Sequence, residues 1–290
     1  MSITAPPPPQ PPTPAPASTT PPARRQSARV TATVFTVVGA LILGGTVVTG
    51  TISALRTASA SSSEVTLTAR SAGVALVNTD NSAGTLVVRF DDSATEASLE
   101  VIGSTATDWR LTRDGDTLDV RVEREWWPGG SLWSLWHDGG DSAVLTLPGE
   151  LAGVDARLGL SAGTVRADGT FGRLQVNMSA GDAELSGSAR ELALDVSAGD
   201  IDFNLDGVDR MTVGVSAGGV SGAVTGNPPA SVDIAVSAGS VDMTLPDGAY
   251  AVASDVSAGS FQNRLTSVAG STSQVTVGVS AGDVTLRSAG

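Results

Sequence analysis

In 290 residues there is no cysteine, no lysine and one histidine, His137, so thiol chemistry and multi-histidine metal sites are excluded. From Glu64 onward 13 arginines face 30 acidic residues, a balance of −17 that repels nucleic acid and anionic headgroups. Aromatic residues make up 4% of the chain against 34 glycines, which argues for thin, tightly turned layers and against a thick core.

The first 22 residues hold ten prolines among Ala, Ser and Thr, so residues 1–29 are expected to form a disordered Pro-rich tail of extended polyproline character. Val30 to Leu55 are 26 residues without a charge. As a helix they would be ~39 Å long, enough to cross a ~30 Å hydrocarbon core. Arg24, Arg25 and Arg29 precede this span and only Arg56 follows it closely, so the positive-inside rule predicts a cytoplasmic N-terminus and an extracytoplasmic remainder. A cleaved signal peptide is the competing reading, because Ala58-Ser59-Ala60 resembles a cleavage box and Arg24-Arg25 an export signal. The uncharged run is longer than the roughly 7–15 residues of a signal core, which favours a retained single-pass anchor at 30–55 in the cell membrane.

Residues 56–63 read as a linker and everything beyond as β. Short alternating strands are expected at Val65–Leu67, Val74–Leu76, Leu86–Phe90, Leu99–Val101, around Leu111, Leu118–Val122 and Val144–Leu147, within a first part spanning 64–150. Asp114-Gly115 predicts a hairpin turn between two of them. The stretch 123–140 gathers Trp126, Trp127, Trp133 and Trp136 among Pro and Gly. These four are the candidate ligand- or partner-binding residues. Alternatively, their rings cap the open end of the domain.

The part spanning 151–290 repeats. Ser-Ala-Gly begins at Ser161, Ser179, Ser197, Ser216, Ser237, Ser257 and Ser280, at intervals of 18 to 23 residues. With the copies aligned on the serine, positions −5, −3, −1, +4, +6 and +8 are apolar in 36 of 42 cases; the interleaved −4, −2, +5 and +7 are apolar in 4 of 28. That pattern writes an inward and an outward face for a strand, corner and strand, with Ser-Ala-Gly at the corner. The alanine is expected to point into the interior and the glycine to adopt positive φ. One rung cannot fold alone, because four to six modest side chains do not offset the ordering of about 20 residues. Stacking copies makes a shared interior, so the prediction is an all-β ectodomain: a parallel β-helix, or β-solenoid, of seven rungs.

The run Leu145-Thr146-Leu147-Pro148 and the repeated V-S-A-G-D/S-V segments at Val196–Ile201, Val236–Val241 and Val279–Val284 resemble the bacterial "putative adhesin" family, in a membrane-anchored, actinobacterial-type form, over roughly Glu64 to Gly290. The resemblance implies a surface or membrane-associated β-solenoid, in a family sometimes linked to envelope-stress systems, with no catalytic residue to carry over.

Gly214–Gly218 and Gly278–Gly282 match G-x-S-x-G, yet both are ordinary copies of the corner, and His137 is the sole imidazole for a triad. Asp182, Asp200 and Asp283 follow the corner, but the corresponding positions elsewhere are Thr164, Gly219, Ser240 and Ser260, whereas a calcium ladder needs carboxylates on consecutive rungs. The sequence therefore calls for no catalytic, metal or cofactor site. The expectation is a cell-surface binding or structural module whose partner is a cell-envelope glycan or a membrane protein. A regulatory membrane protein of an envelope-stress system and a carbohydrate-active β-helix enzyme are the alternatives.

Overall fold

A computed structural model describes residues 63–82, 84–103, 108–123 and 142–290 of the chain. The proline-rich tail, the anchor expected at 30–55 and the tryptophans at 126, 127, 133 and 136 lie outside the described residues. Among the described residues no helix is long and apolar enough to cross a membrane.

What is described is all-β, with 17 strands in one hydrogen-bonded sheet. β1 (Ser63–Ala69), β2 (Leu76–Asn81), β3 (Thr85–Asp91), β4 (Ala97–Gly103), β5 (Asp108–Asp114), β6 (Thr117–Glu123) and β7 (Ser142–Pro148) come first. A 3-10 turn at Gly149–Leu151 leads to β8 (Val154–Leu160), β9 (Thr164–Met178), β10 (Asp182–Val196), β11 (Asp200–Asp206), β12 (Arg210–Val215) and β13 (Gly219–Thr225). Then follow β14 (Ser231–Leu245), β15 (Ala249–Arg264), β16 (Thr266–Ser267) and β17 (Ser273–Ser288).

Successive copies of the repeat lie parallel and in register. Val165, Ala183, Ile201, Val220 and Val241, all at position +4, line up on neighbouring strands of the ladder that follows the corner. Leu174, Leu192, Met211 and Val232, all at −5, do so in the ladder that precedes it. The alternation sets the inside as the sequence predicts: in the copy at Ser197 the inward residues Leu192, Leu194, Val196, Ile201, Phe203 and Leu205 are all buried. Hydrogen bonds continue around the corner, with Ser197 N donating to Met178 O (2.8 Å) and Asp200 N to Gly181 O (3.1 Å). The residues on either side of the bend are thus held by backbone bonds to the neighbouring rung.

The corner differs from expectation in one respect. Its alanines, such as Ala180, Ala198 and Ala238, are exposed and do not point into the interior. The crowded residue is the glycine. Gly199 has φ +107, and a Cβ built on it would stand 2.0 Å from the carbonyl oxygen of Gly181 on the next rung. Glycine is required by close backbone approach as well as by φ, so alanine fits only on the outer side of the bend.

The order of the last two rungs also departs from the expected succession. β17 pairs with β14 on one side and β15 on the other, so the copy at Ser280 lies inside and the copy at Ser257 ends the stack. The inward residues explain the choice. Those of β17 include Val275, Val277, Val279, Val284 and Leu286, all buried, whereas the copy at Ser257 carries Ser254 and Asn263 at inward positions. Placed last, both meet water, and burying them unpaired is avoided. Tyr250 anchors the start of this rung. It is fully buried, donates its hydroxyl to Pro246 O at 2.7 Å, and its pKa is pushed up to about 12, first by burial and then by Asp247.

At the other end an additional copy, Ser82-Ala83-Gly84, outside the seven aligned above, joins β2 to β3 and continues both ladders. Ser161 N donates to Asn81 O and Thr164 N to Gly84 O, as at the later corners. β6 and β7 form one more parallel rung beyond it. The sense then reverses: β5 runs antiparallel to β6 through the expected turn at Gly115 (φ +61), β4 antiparallel to β7, and β1 antiparallel to β4. The strand expected at Val74–Leu76 begins only at Leu76 and runs through the polar-looking Asn78–Asn81.

Candidate binding surfaces

Both ends of the tryptophan-rich segment are held by the stack. β6 ends at Glu123 with Arg121 beside Asp80, and β7 begins at Ser142 beside Thr85. In the adjoining rung Ser82-Ala83-Gly84 occupies the corresponding place. Four residues separate Asp80 from Thr85, whereas twenty separate their register partners Arg121 and Ser142. The candidate residues Trp126, Trp127, Trp133 and Trp136 fall within that longer stretch and outside the described residues. The fifth tryptophan, Trp109 on β5, faces Val122 and is buried.

Buried polar atoms gather beside this corner, and the sequence reading missed them. Thr79 Oγ1, Asn81 Oδ1, Ser82 Oγ and Trp109 Nε1 are buried without a hydrogen-bond partner. Thr79 and Asn81 stand at the −3 and −1 positions of the Ser82 copy, where other rungs carry apolar residues. The signal was present in the sequence, but only once Ser82 is aligned with the later serines.

The outward faces carry charge in stripes. Glu191 lies between Arg173 and Arg210 on flanking rungs, accepting from Arg173 Nε at 2.7 Å and from Arg210 Nη1 at 3.0 Å. The Arg173 hydrogen bond, followed by its charge and that of Arg210, outweighs the opposing desolvation and holds the Glu191 carboxyl below the usual range. On the other ladder Asp182 and Asp200 are neighbours in register, as are Glu184 and Asp202. Asp283 stands apart from them, beside Ser240 and Ser260, and accepts from Ser260 Oγ at 2.6 Å. Among the described residues no group of three or more His, Cys, Asp or Glu side chains is arranged to hold a metal ion. Ser216 and Ser280, the serines of the two G-x-S-x-G matches, sit exposed on corners like their counterparts.

No family model matches the chain. No curated protein matches it either. Among solved structures it is similar to a "putative cell adhesion protein" from Clostridium sporogenes ATCC 15579, at 12% identity and a TM-score of 0.36, over 79% of this chain and 100% of that one. It is also similar to a "putative adhesin" from Bacteroides fragilis NCTC 9343, at 13% identity and a TM-score of 0.44, over 77% and 96% of the two chains. A third similar structure is a "putative adhesin" from Parabacteroides distasonis ATCC 8503, at 11% identity and a TM-score of 0.33, over 77% and 97%.

Proposed function

We propose that the chain is a single-pass membrane protein, anchored by residues 30–55 with its N-terminus in the cytoplasm, whose extracytoplasmic β-solenoid is a cell-surface binding or structural module and not an enzyme. The observation that carries this reading is the place of residues 124–141. A segment with four tryptophans joins two strands whose neighbours in the ladder have only four residues between the matching positions Asp80 and Thr85, and both flanking strands are in register with the rest of the ladder. Rigid scaffolds that present a variable loop from a fixed point are how recognition is commonly built, and exposed indoles suit glycan rings or an apolar protein surface.

Protease treatment of intact cells tests the topology. The extracytoplasmic part is expected to be digested or released, leaving a membrane-bound stub; a mature N-terminus at Ser61 would exclude the anchor. Replacing Trp133 and Trp136 by alanine tests the loop. Stability is expected to stay within about 0.5 kcal/mol of wild type while retention on isolated cell envelopes drops. A loss of several kcal/mol, as for buried aromatics, would instead assign the segment to the core.

A further inference from the structure

The two ends of the stack are finished differently. The first is closed by antiparallel strands, while the last, among the described residues, is an open edge. β16 covers only the start of β15, pairing with Ala249 and Tyr250, and among the described residues nothing pairs with the outer side of Ala251–Arg264. This edge lacks lysine, proline and inward-pointing charge, the usual devices against strand addition. Val256, at an inward position, is 38% exposed.

We infer that this terminal rung is the docking surface for a second copy of the same chain, joined tail to tail by antiparallel pairing of Ala253–Val256 with Phe261–Arg264 of the other copy. The inference rests on the anchored, surface-exposed reading above only for its location, not for the contact itself.

Three observations select this occupant. The first is the direction of the backbone groups. Tyr250 O accepts from Val268 N on the outer side, so Ser254 and Val256, two-residue steps away, also aim theirs outward. At every corner the glycine carbonyl faces the next rung, as Gly163 O does toward Asp182 N, so Phe261 and Asn263, two and four residues beyond Gly259, do likewise. Val256 opposite Phe261 and Ser254 opposite Asn263 are then hydrogen-bonded antiparallel pairs.

The second is the side chains in that register, which match apolar to apolar and polar to polar on the inward side. The third is charge. Asp255 stands opposite Gln262 and diagonal to Arg264 of the other copy, within reach of a long side chain, and the two-fold repeats the contact. A solenoid that is strongly acidic overall thus has one end where its few charges complement themselves. Because β1 lies at the opposite end of the stack from β15, such a pair carries the β1 strands at its two extremes. That geometry suits molecules standing on two facing surfaces. One rung's edge is a small contact, so many copies acting together would supply the strength.

The test uses the full chain. Sedimentation of the detergent-solubilised protein is expected to show reversible self-association. Val256→Lys, which places a charge on the exposed edge, should weaken it at least about tenfold while the urea midpoint shows the stack still folded. The chain has no cysteine of its own, so Asp255→Cys combined with Gln262→Cys should give a disulfide between two molecules on mild oxidation, with neither single substitution doing so. Vesicles carrying the wild-type chain should clump, and those carrying Val256→Lys should not. A wild-type chain that stays monomeric up to about 1 mM, a Val256→Lys variant that associates like wild type, or a double-cysteine variant that fails to cross-link would each overturn the inference. Association and cross-linking without clumping would overturn the facing-surface geometry. None of these outcomes bears on the anchor, which the protease experiment reads separately.

Discussion

Ile201→Asp is expected to unfold the stack, with a loss of more than about 4 kcal/mol in a urea melt. Ile201 is 1% exposed and in register with Ala183 on one side and Val220 on the other, in a column with no polar side chain to meet a carboxylate. Val236→Asp should behave alike, being 2% exposed between Val215 and Val279. The control is one residue away. Asp202 points outward, and its pKa is raised, first by partial burial and then by Asp200, Glu184 and Asp182. A carboxyl whose folded pKa lies above its ordinary value adds stability only in acid and loses it as pH rises through the folded pKa. At neutral pH Asp202→Ser should therefore be silent or slightly stabilising. Equal losses from Ile201→Asp and Asp202→Ser would refute the assignment of faces.

The second large effect is expected at the corner glycines. Gly199→Ala combines a positive φ with a methyl 2.0 Å from a backbone oxygen that cannot move without opening the ladder, so the expected cost exceeds about 3 kcal/mol. Gly207 separates the two causes. Its φ is +70, but a Cβ there meets nothing within 4 Å, so Gly207→Ala should cost only the backbone strain, about 1 kcal/mol. If the two variants melt together, close approach has no part in the choice of glycine.

The periodicity made the interior legible because a period of two leaves few alternatives once copies are aligned. Three of the six exceptions to the inward pattern, Gly169, Gly187 and Gly222, are themselves packing features. A Cβ at Gly222 would meet the ring of Phe203, one at Gly169 the ring of Phe90, and one at Gly187 the backbone of Gly169. Ser254 and Asn263, two further exceptions, mark the end rung. Rung order was thus written in the polarity of inward residues, but reading it requires weighing copies against one another, which spacing alone does not do. The Ser82 rung was hidden because Thr79 and Asn81 break the apolar alternation, and because four strands separate it from the regular series. The tryptophan-rich segment was visible as composition, while the pairing of the strands that flank it is long-range and no local pattern encodes it.

The inversion of β15 and β17 has a consequence for how the chain is completed as it emerges. Synthesis delivers β15 before β17, at a time when β14 is the growing end and its corner at Ser237 resembles the one at Ser257 as well as the one at Ser280. The finished order is reached only when the last strand enters between two already made. A product cut short before Ser273 lacks an inner layer and not the outermost one, and its β15 has lost the neighbour it pairs with along nearly its full length. The 16-residue β17 therefore completes the stack from within and not at its end.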